Sequence, residues 1–352
     1  MQLPNFSRSA TAVGTVFFAT TVLLMNSTFA QTPYGNFKAP KTNFGQPDIS
    51  GYWSSASLTP LSRPRDLGDK LVYSEEEVAV IEGRAETELA EGNQPTDPNA
   101  PAEFRHETTV TRPEFQAAGG AVGGYNGFWL DPGSRVMRVG GQPRTSILTT
   151  VNGQFPPRKD GAAPSRRTSR PRGGAYDGHE MRSLGERCII SFGRNAGPPM
   201  FANGFYNNNY QIVQTPSEVM ILVEMNHDAR IIRLNSKHRS DDVRPWFGDS
   251  IGHWEGNTLV VETTHIPPEL QFYGSWENLT VIERFTRVAK DRLHYSFTID
   301  DPTLWDKPWG GEYEFSPLDG IIYEYACHEG NYALPGILKG ARVEEAEAAK
   351  AK

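Results

Sequence analysis

The sequence predicts a mainly β protein, an antiparallel meander that closes into a barrel-like sheet, with an N-terminal arm and one covering helix. Three observations predict it. From residue 210 onward, apolar and polar residues alternate in short runs: Leu293, Tyr295, Phe297 and Ile299 share one face, His294, Ser296 and Thr298 the other. These runs follow one another through short turns with no helix between them, which makes sequential strands antiparallel neighbours. Composition agrees, since 34 Gly, 26 Pro and 11% aromatic residues suit many tight turns better than long helices. Closure into a barrel removes the unpaired edges that an open sheet would expose.

Taken in order, the chain opens with Arg8, an apolar run from Val13 to Met25, and small residues ending at Ala30. That order is the order of a secretory signal, with cleavage expected after Ala30. The run is well short of the roughly 20 residues needed to span a bilayer, so no membrane insertion is expected. Residues 31–118 are expected to form an arm and a helix packed on the barrel. The helix is expected over 74–91, with Ser74 as N-cap, Glu77 at the capping-box position and three glutamates where the helix dipole favours them.

The β domain is expected over 119–342, interrupted by a mobile basic loop at 156–174, and followed by a disordered tail at 343–352. Strands are expected at 135–139, 144–151, 210–215, 218–225, 229–234, 257–265, 278–288 and 292–299. A final hairpin places 313–316 and 321–327 on either side of Leu318, Asp319 and Gly320.

The net charge is −7, or −8 once residues 1–30 and their single arginine are removed, so nothing draws the protein to nucleic acid. The two cysteines of an exported chain, Cys188 and Cys327, are expected to form a disulfide. Cys327 stands beside His328, but neighbours on a strand point to opposite faces, which argues against a catalytic thiolate-imidazolium pair.

The candidates for chemistry are few. His227 and Asp228 can form an acid-base pair or an ordinary turn. His253 and Glu255 share a face if extended, with Trp254 opposite. Glu283 falls in an apolar stripe with Leu279, Val281 and Phe285, so it either lines a cavity or anchors a buried salt bridge. No H-x-H, HExxH or CxxC pattern is present, and no metal or other cofactor is expected. Nucleotide-binding and serine-hydrolase motifs are likewise missing from the chain.

Gly51 and Trp53 repeat the G-x-W pattern of the first strand of lipocalin-type barrels. The longer stretches HDARII (227–232), GHWEGNTLVVETT (252–264) and YEYACHEGNY (323–332) resemble a large group of exported, mostly uncharacterised bacterial proteins over roughly residues 46–342. The resemblance implies export and a bacterial origin, without a mechanism. The basic loop at 156–174 does not resemble that group and is expected to be particular to this chain.

The resulting expectation is a secreted or periplasmic, cofactor-independent lyase, isomerase or hydratase acting on a small apolar or aromatic molecule in a barrel pocket. His227 or His328 is expected to move the proton, with Glu283 or Glu255 as partner and Arg230 stabilising negative charge. Trp246, Trp254, Trp309, Tyr323 and Tyr325 are expected to bind the substrate. Two other readings remain open, a lipocalin-like carrier and a metal-dependent hydrolase.

Overall fold

A computed structural model describes residues 34, 37–92, 131–162, 174, 176–191, 194–201 and 206–350. The expected leader and most of the basic loop lie outside the described residues. The centre of the molecule is a closed barrel of nine strands, in the order β1-β11-β10-β9-β8-β7-β6-β5-β4 and back to β1. Strand β1 is Gly51–Ser54, and a small separate ladder pairs β2 (Arg138–Val139) with β3 (Gln142–Pro143). The others are β4 (Asn209–Gln214), β5 (Glu218–Val223), β6 (Ala229–Leu234), β7 (Asp249–Glu255), β8 (Thr258–Thr264), β9 (Thr280–Ala289), β10 (Arg292–Asp300) and β11 (Trp309–Pro317). Alternation carries the fold as expected: Val281, Glu283 and Phe285 are buried, and so are Leu293, Tyr295, Phe297 and Ile299.

Inside, layers of side chains stack across the sheet. Leu259, Phe285, Tyr295 and Tyr313 are register partners in one layer, and Val261, Glu283, Phe297 and Gly311 in the next. Glu283 resolves its sequence ambiguity as a salt bridge. Arg230 Nη1 and Nη2 donate to its two carboxylate oxygens at 2.5 and 3.0 Å, and Tyr295 Oη donates to Oε1 at 2.8 Å. Burial alone would lower the Arg230 guanidinium, but the Glu283 carboxylate holds it above its ordinary value.

The lumen also contains the protein's own chain. Met200 N donates to Tyr295 Oη at 2.9 Å, and Tyr313 Oη donates to Met200 O at 3.1 Å. Met200 therefore sits inside the barrel, with Ala196 and Phe201 of the same segment buried in the core. Trp53 of the G-x-W pattern is buried, donates from Nε1 to Ile49 O at 3.1 Å and is covered by the Arg287 guanidinium.

The helix α1 (Glu75–Gly92) has the expected capping box: Ser74 N donates to Glu77 Oε2 and Glu77 N donates to Ser74 Oγ. It leans on the strand segment through Glu75 with Arg138, and through Glu82 with Val136 N.

Four expectations need correction. The meander is broken once, because β6 and β7 pair in parallel through the crossover 235–248. Residues 144–151 form only isolated bridges, Val72 with Arg144 and Leu148 with Gly311, because only 147–149 touch β11 and other backbone bonds go to irregular chain at Pro60, Leu61 and Leu71. Residues 321–327 are not a strand. The barrel has no free edge for them, since β1 already pairs with both β11 and β4. Residues 343–350, expected to be disordered, belong to a second helix, α2 (Ala333–Lys350), whose alanines and glutamates are good helix formers.

The disulfide is present, with the Cys188 and Cys327 Cα atoms 5.7 Å apart and the two cysteines 139 positions apart in sequence. Among the described residues, no helix is long and apolar enough to cross a membrane.

The unreduced protein is expected to titrate no free thiol in denaturant, and two thiols would break the pairing. Glu283→Gln, which strands a buried guanidinium, is expected to lower unfolding stability in urea by about 3–5 kcal/mol. The double replacement Arg230→Met/Glu283→Leu should recover part of that loss; if both variants unfold like the parent, the ion pair is not holding the core.

Candidate functional site

Strand registers define the two ends of the barrel. Asn209, Val223, Ala229, Asp249, Thr264, Thr280, Asp300 and Trp309 lie toward one end, and Gln214, Leu234, Glu255 and Ala289 toward the other. The predicted site residues divide between these ends and the lumen.

Glu255 is at the far end, exposed, paired with His253 at 3.2 Å and with Arg284. It has the predicted face in common with His253, but no histidine or arginine of the predicted set is beside it. A groove of about 440 Å³ lies near the same end, on the outside of β1 and β4, lined among others by Phe44, Asp48, Gln211 and Gln214. None of the predicted residues lines it. Trp254 is partly buried against the core, and Trp246 is exposed on the crossover.

Arg230 and Glu283 are in the lumen, at 2% and 0% side-chain exposure, and engage each other. Trp309 packs in an aromatic cluster, edge-on to Phe155 and Trp305 and stacked on Phe272. His328 is exposed and makes no side-chain hydrogen bond among the described residues. With 321–327 irregular, strand alternation no longer decides which way Cys327 and His328 point.

Part of the predicted set does meet at the β5–β6 turn. Asn226 and His227 both have left-handed backbones, φ 59° and 54°, a conformation that Asn and His adopt more readily than most residues. The turn receives the segment that follows β11. Tyr323 N donates to Glu224 Oε1 at 2.9 Å, and Tyr325 N donates to His227 Nε2 at 3.0 Å. The neutral His227 ring therefore carries its proton on Nδ1. Tyr325 stacks on Tyr206, with ring centroids 6.2 Å apart.

Around this turn are groups that the sequence reading weighed lightly or missed. Asp228 is buried, accepts from Ser191 N at 2.8 Å, and burial pushes its carboxyl up. Asp131 is open to solvent on one side, and the protein on its other side, together with Glu224, pushes it up as well. Glu224 accepts from Asn209 Nδ2 at 2.7 Å, and Asn208 Nδ2 donates to Asp131 O at 3.1 Å. Asn195 Oδ1 and Asn209 Oδ1 are buried acceptors without a partner among the described residues.

A second cluster was not anticipated. The crossover 235–248 folds over the outer wall formed by β6, β7 and β8 and brings His238 against Asp249. His238 Nδ1 is 2.9 Å from Asp249 Oδ2, and its Nε2 is 2.9 Å from Glu262 Oε1. His265, with φ 55°, has Nε2 3.1 Å from Asp241 Oδ1 and Nδ1 2.7 Å from Thr264 Oγ1. That hydroxyl is also 3.3 Å from His238 Nδ1.

Asp249 is 3% exposed and also accepts from Arg233, from Arg239 Nε and from Arg239 N. Burial works to raise its carboxyl, but these donors and His238 outweigh it and hold Asp249 below the usual range. One ligand atom each from His238, Asp249 and His265 lies within 4.8 Å of the others, the one such group of three among the described residues. The only sequence signal was the density of charge in HRSDDVR at 238–244, next to a connection too long for a hairpin.

No family model matches the chain, and neither curated proteins nor solved structures give a match.

Because the folded Asp249 binds its proton less readily than the unfolded chain, its contribution is complete above the unfolded value near 3.9 and is lost as pH falls below it. In urea titrations at stepped pH, the gap between the parent and Asp249→Asn should be steady from about pH 5.5 to 4.5 and narrow below about pH 4. A gap that stays constant down to pH 3 would contradict the assignment.

Proposed function

We propose that the protein is an exported enzyme that performs cofactor-independent acid-base chemistry, of lyase, isomerase or hydratase type, on a small apolar or aromatic molecule. The β5–β6 end is the reaction site. The observation that carries this reading is the pairing there of His227 with Asp228, together with Asp131 beside Glu224, both carboxyls pushed above the ordinary aspartate range by their surroundings. Carboxyls raised in this way take up a proton more readily than free aspartates, which suits them to acid-base work.

The roles differ from those read in the sequence. His227 Nε2 is already taken by Tyr325 N, so His227 orients a substrate through Nδ1–H while Asp228 and Asp131 exchange the proton. Glu283 and Arg230 are too deeply buried to touch a substrate and serve as the lumen's anchor. Tyr323 and Tyr325, held against Glu224 and His227 through their backbone N–H groups, supply aromatic surface beside the turn. The leader read at 1–30, the disulfide and the resemblance to exported bacterial proteins support a secreted or periplasmic location.

The test is turnover in deuterated water with a panel of small aromatic and alicyclic carbonyl and hydroxyl compounds, followed by mass spectrometry. At least one compound is expected to gain deuterium or change mass. Asp228→Asn should then cut kcat by about 10²–10⁴-fold, and the parent's acid limb should lie above the ordinary aspartate value of 3.8. Compounds that bind tightly yet are returned unchanged and unlabelled would replace the enzyme with a carrier.

A further inference from the structure

We propose that His238, Asp249 and His265 form a binding site for a divalent metal ion of the zinc type on the outer wall of the barrel, separate from the β5–β6 end.

The orientation of the two rings carries the argument. Each imidazole has a carboxylate behind it, Glu262 on His238 Nε2 and Asp241 on His265 Nε2, at 2.9 and 3.1 Å. At His265 the carboxylate holds the proton on Nε2 and turns the Nδ1 lone pair to the front, as in carboxylate-histidine-metal arrangements; His238 has a carboxylate at 2.9 Å on each nitrogen and takes the same orientation when its proton is on Nε2. Both Nδ1 atoms face the Thr264 hydroxyl, which has one proton to give and stands nearer to His265.

In that tautomer His238 Nδ1 faces Asp249 Oδ2 at 2.9 Å as a lone pair against an anion. Either a proton on Nδ1 or a cation bound by both atoms from the front makes that contact attractive. Two imidazole nitrogens and one carboxylate oxygen, held on β7, at the end of β8 and on the crossover, are a donor set that suits zinc with a fourth position left for water or Thr264. Arg233 and Arg239 fix the Asp249 carboxylate in orientation, and their charge makes the expected affinity moderate rather than extreme.

A proton is the competing occupant, since an imidazolium at His238 would donate to both Asp249 and Glu262. The two are separated by equilibrium dialysis of tag-free full-length protein against zinc chloride at neutral pH, with metal counted by elemental analysis. The parent is expected to take up about one equivalent, and Glu262→Gln to bind about 10-fold more weakly. His238→Gln and His265→Asn should lose binding further while keeping the parent's circular dichroism; asparagine suits the left-handed backbone at 265.

Zinc uptake that matches the His238→Gln/His265→Asn double variant would overturn the site. So would nitrogen-15 spectra showing His238 doubly protonated at neutral pH and unmoved by added zinc. Either result leaves the acid-base reading of the β5–β6 end intact, because the two share no residue.

Discussion

The pairing of Arg230 with Glu283 is the constraint around which the barrel is organised. Two opposite charges withdrawn from water are tolerated only when every donor and acceptor is matched, and here the match extends beyond the pair. Glu283 takes the Tyr295 hydroxyl, Tyr295 takes the Met200 amide, and Tyr313 reaches the Met200 carbonyl. Strands β6, β9, β10 and β11 and the segment 194–201 are thus tied by one polar chain inside an aromatic core. Removing the carboxylate would strand a guanidinium and loosen the hold on Met200 inside the barrel.

The fold was legible because its strands are amphipathic and its connections mostly short. Leu293 to Ile299 reads as a half-buried strand from alternation alone, and Glu283, placed in an apolar stripe, announces a buried partner before Arg230 is known to be that partner. Where the reading failed, the cause was topology that period-two patterns do not encode. YEYACHEGNY has strand-like composition, but β1 had already closed the edge it would have joined. The alanine- and glutamate-rich end looks like a solvated tail by charge and is a helix by propensity.

The candidate sites were less legible for the same reason. Sequence patterns identify residues near one another along the chain, and both clusters are assembled across it. His227 was visible as part of HDAR, whereas Asp131 reaches the same end from about a hundred residues away and could not be paired with it. His238 and His265 sit on either side of the one parallel pairing in the barrel. A meander drawn with hairpins alone keeps 235–248 off the wall of β8, so the cluster disappears from any reading that takes every neighbour as antiparallel.

The segment 194–201 changes what occupancy of the lumen means. Covalently attached to the barrel that holds it, it acts as an intramolecular ligand whose effective concentration is of the millimolar order typical of short tethers. The disulfide ties Cys188, six residues before Arg194, to Cys327 on the segment after β11. A molecule arriving from solution meets a resident competitor at Tyr295 and Tyr313. It would have to offer Tyr295 and Tyr313 a better acceptor and donor than the Met200 backbone before the interior could be shared.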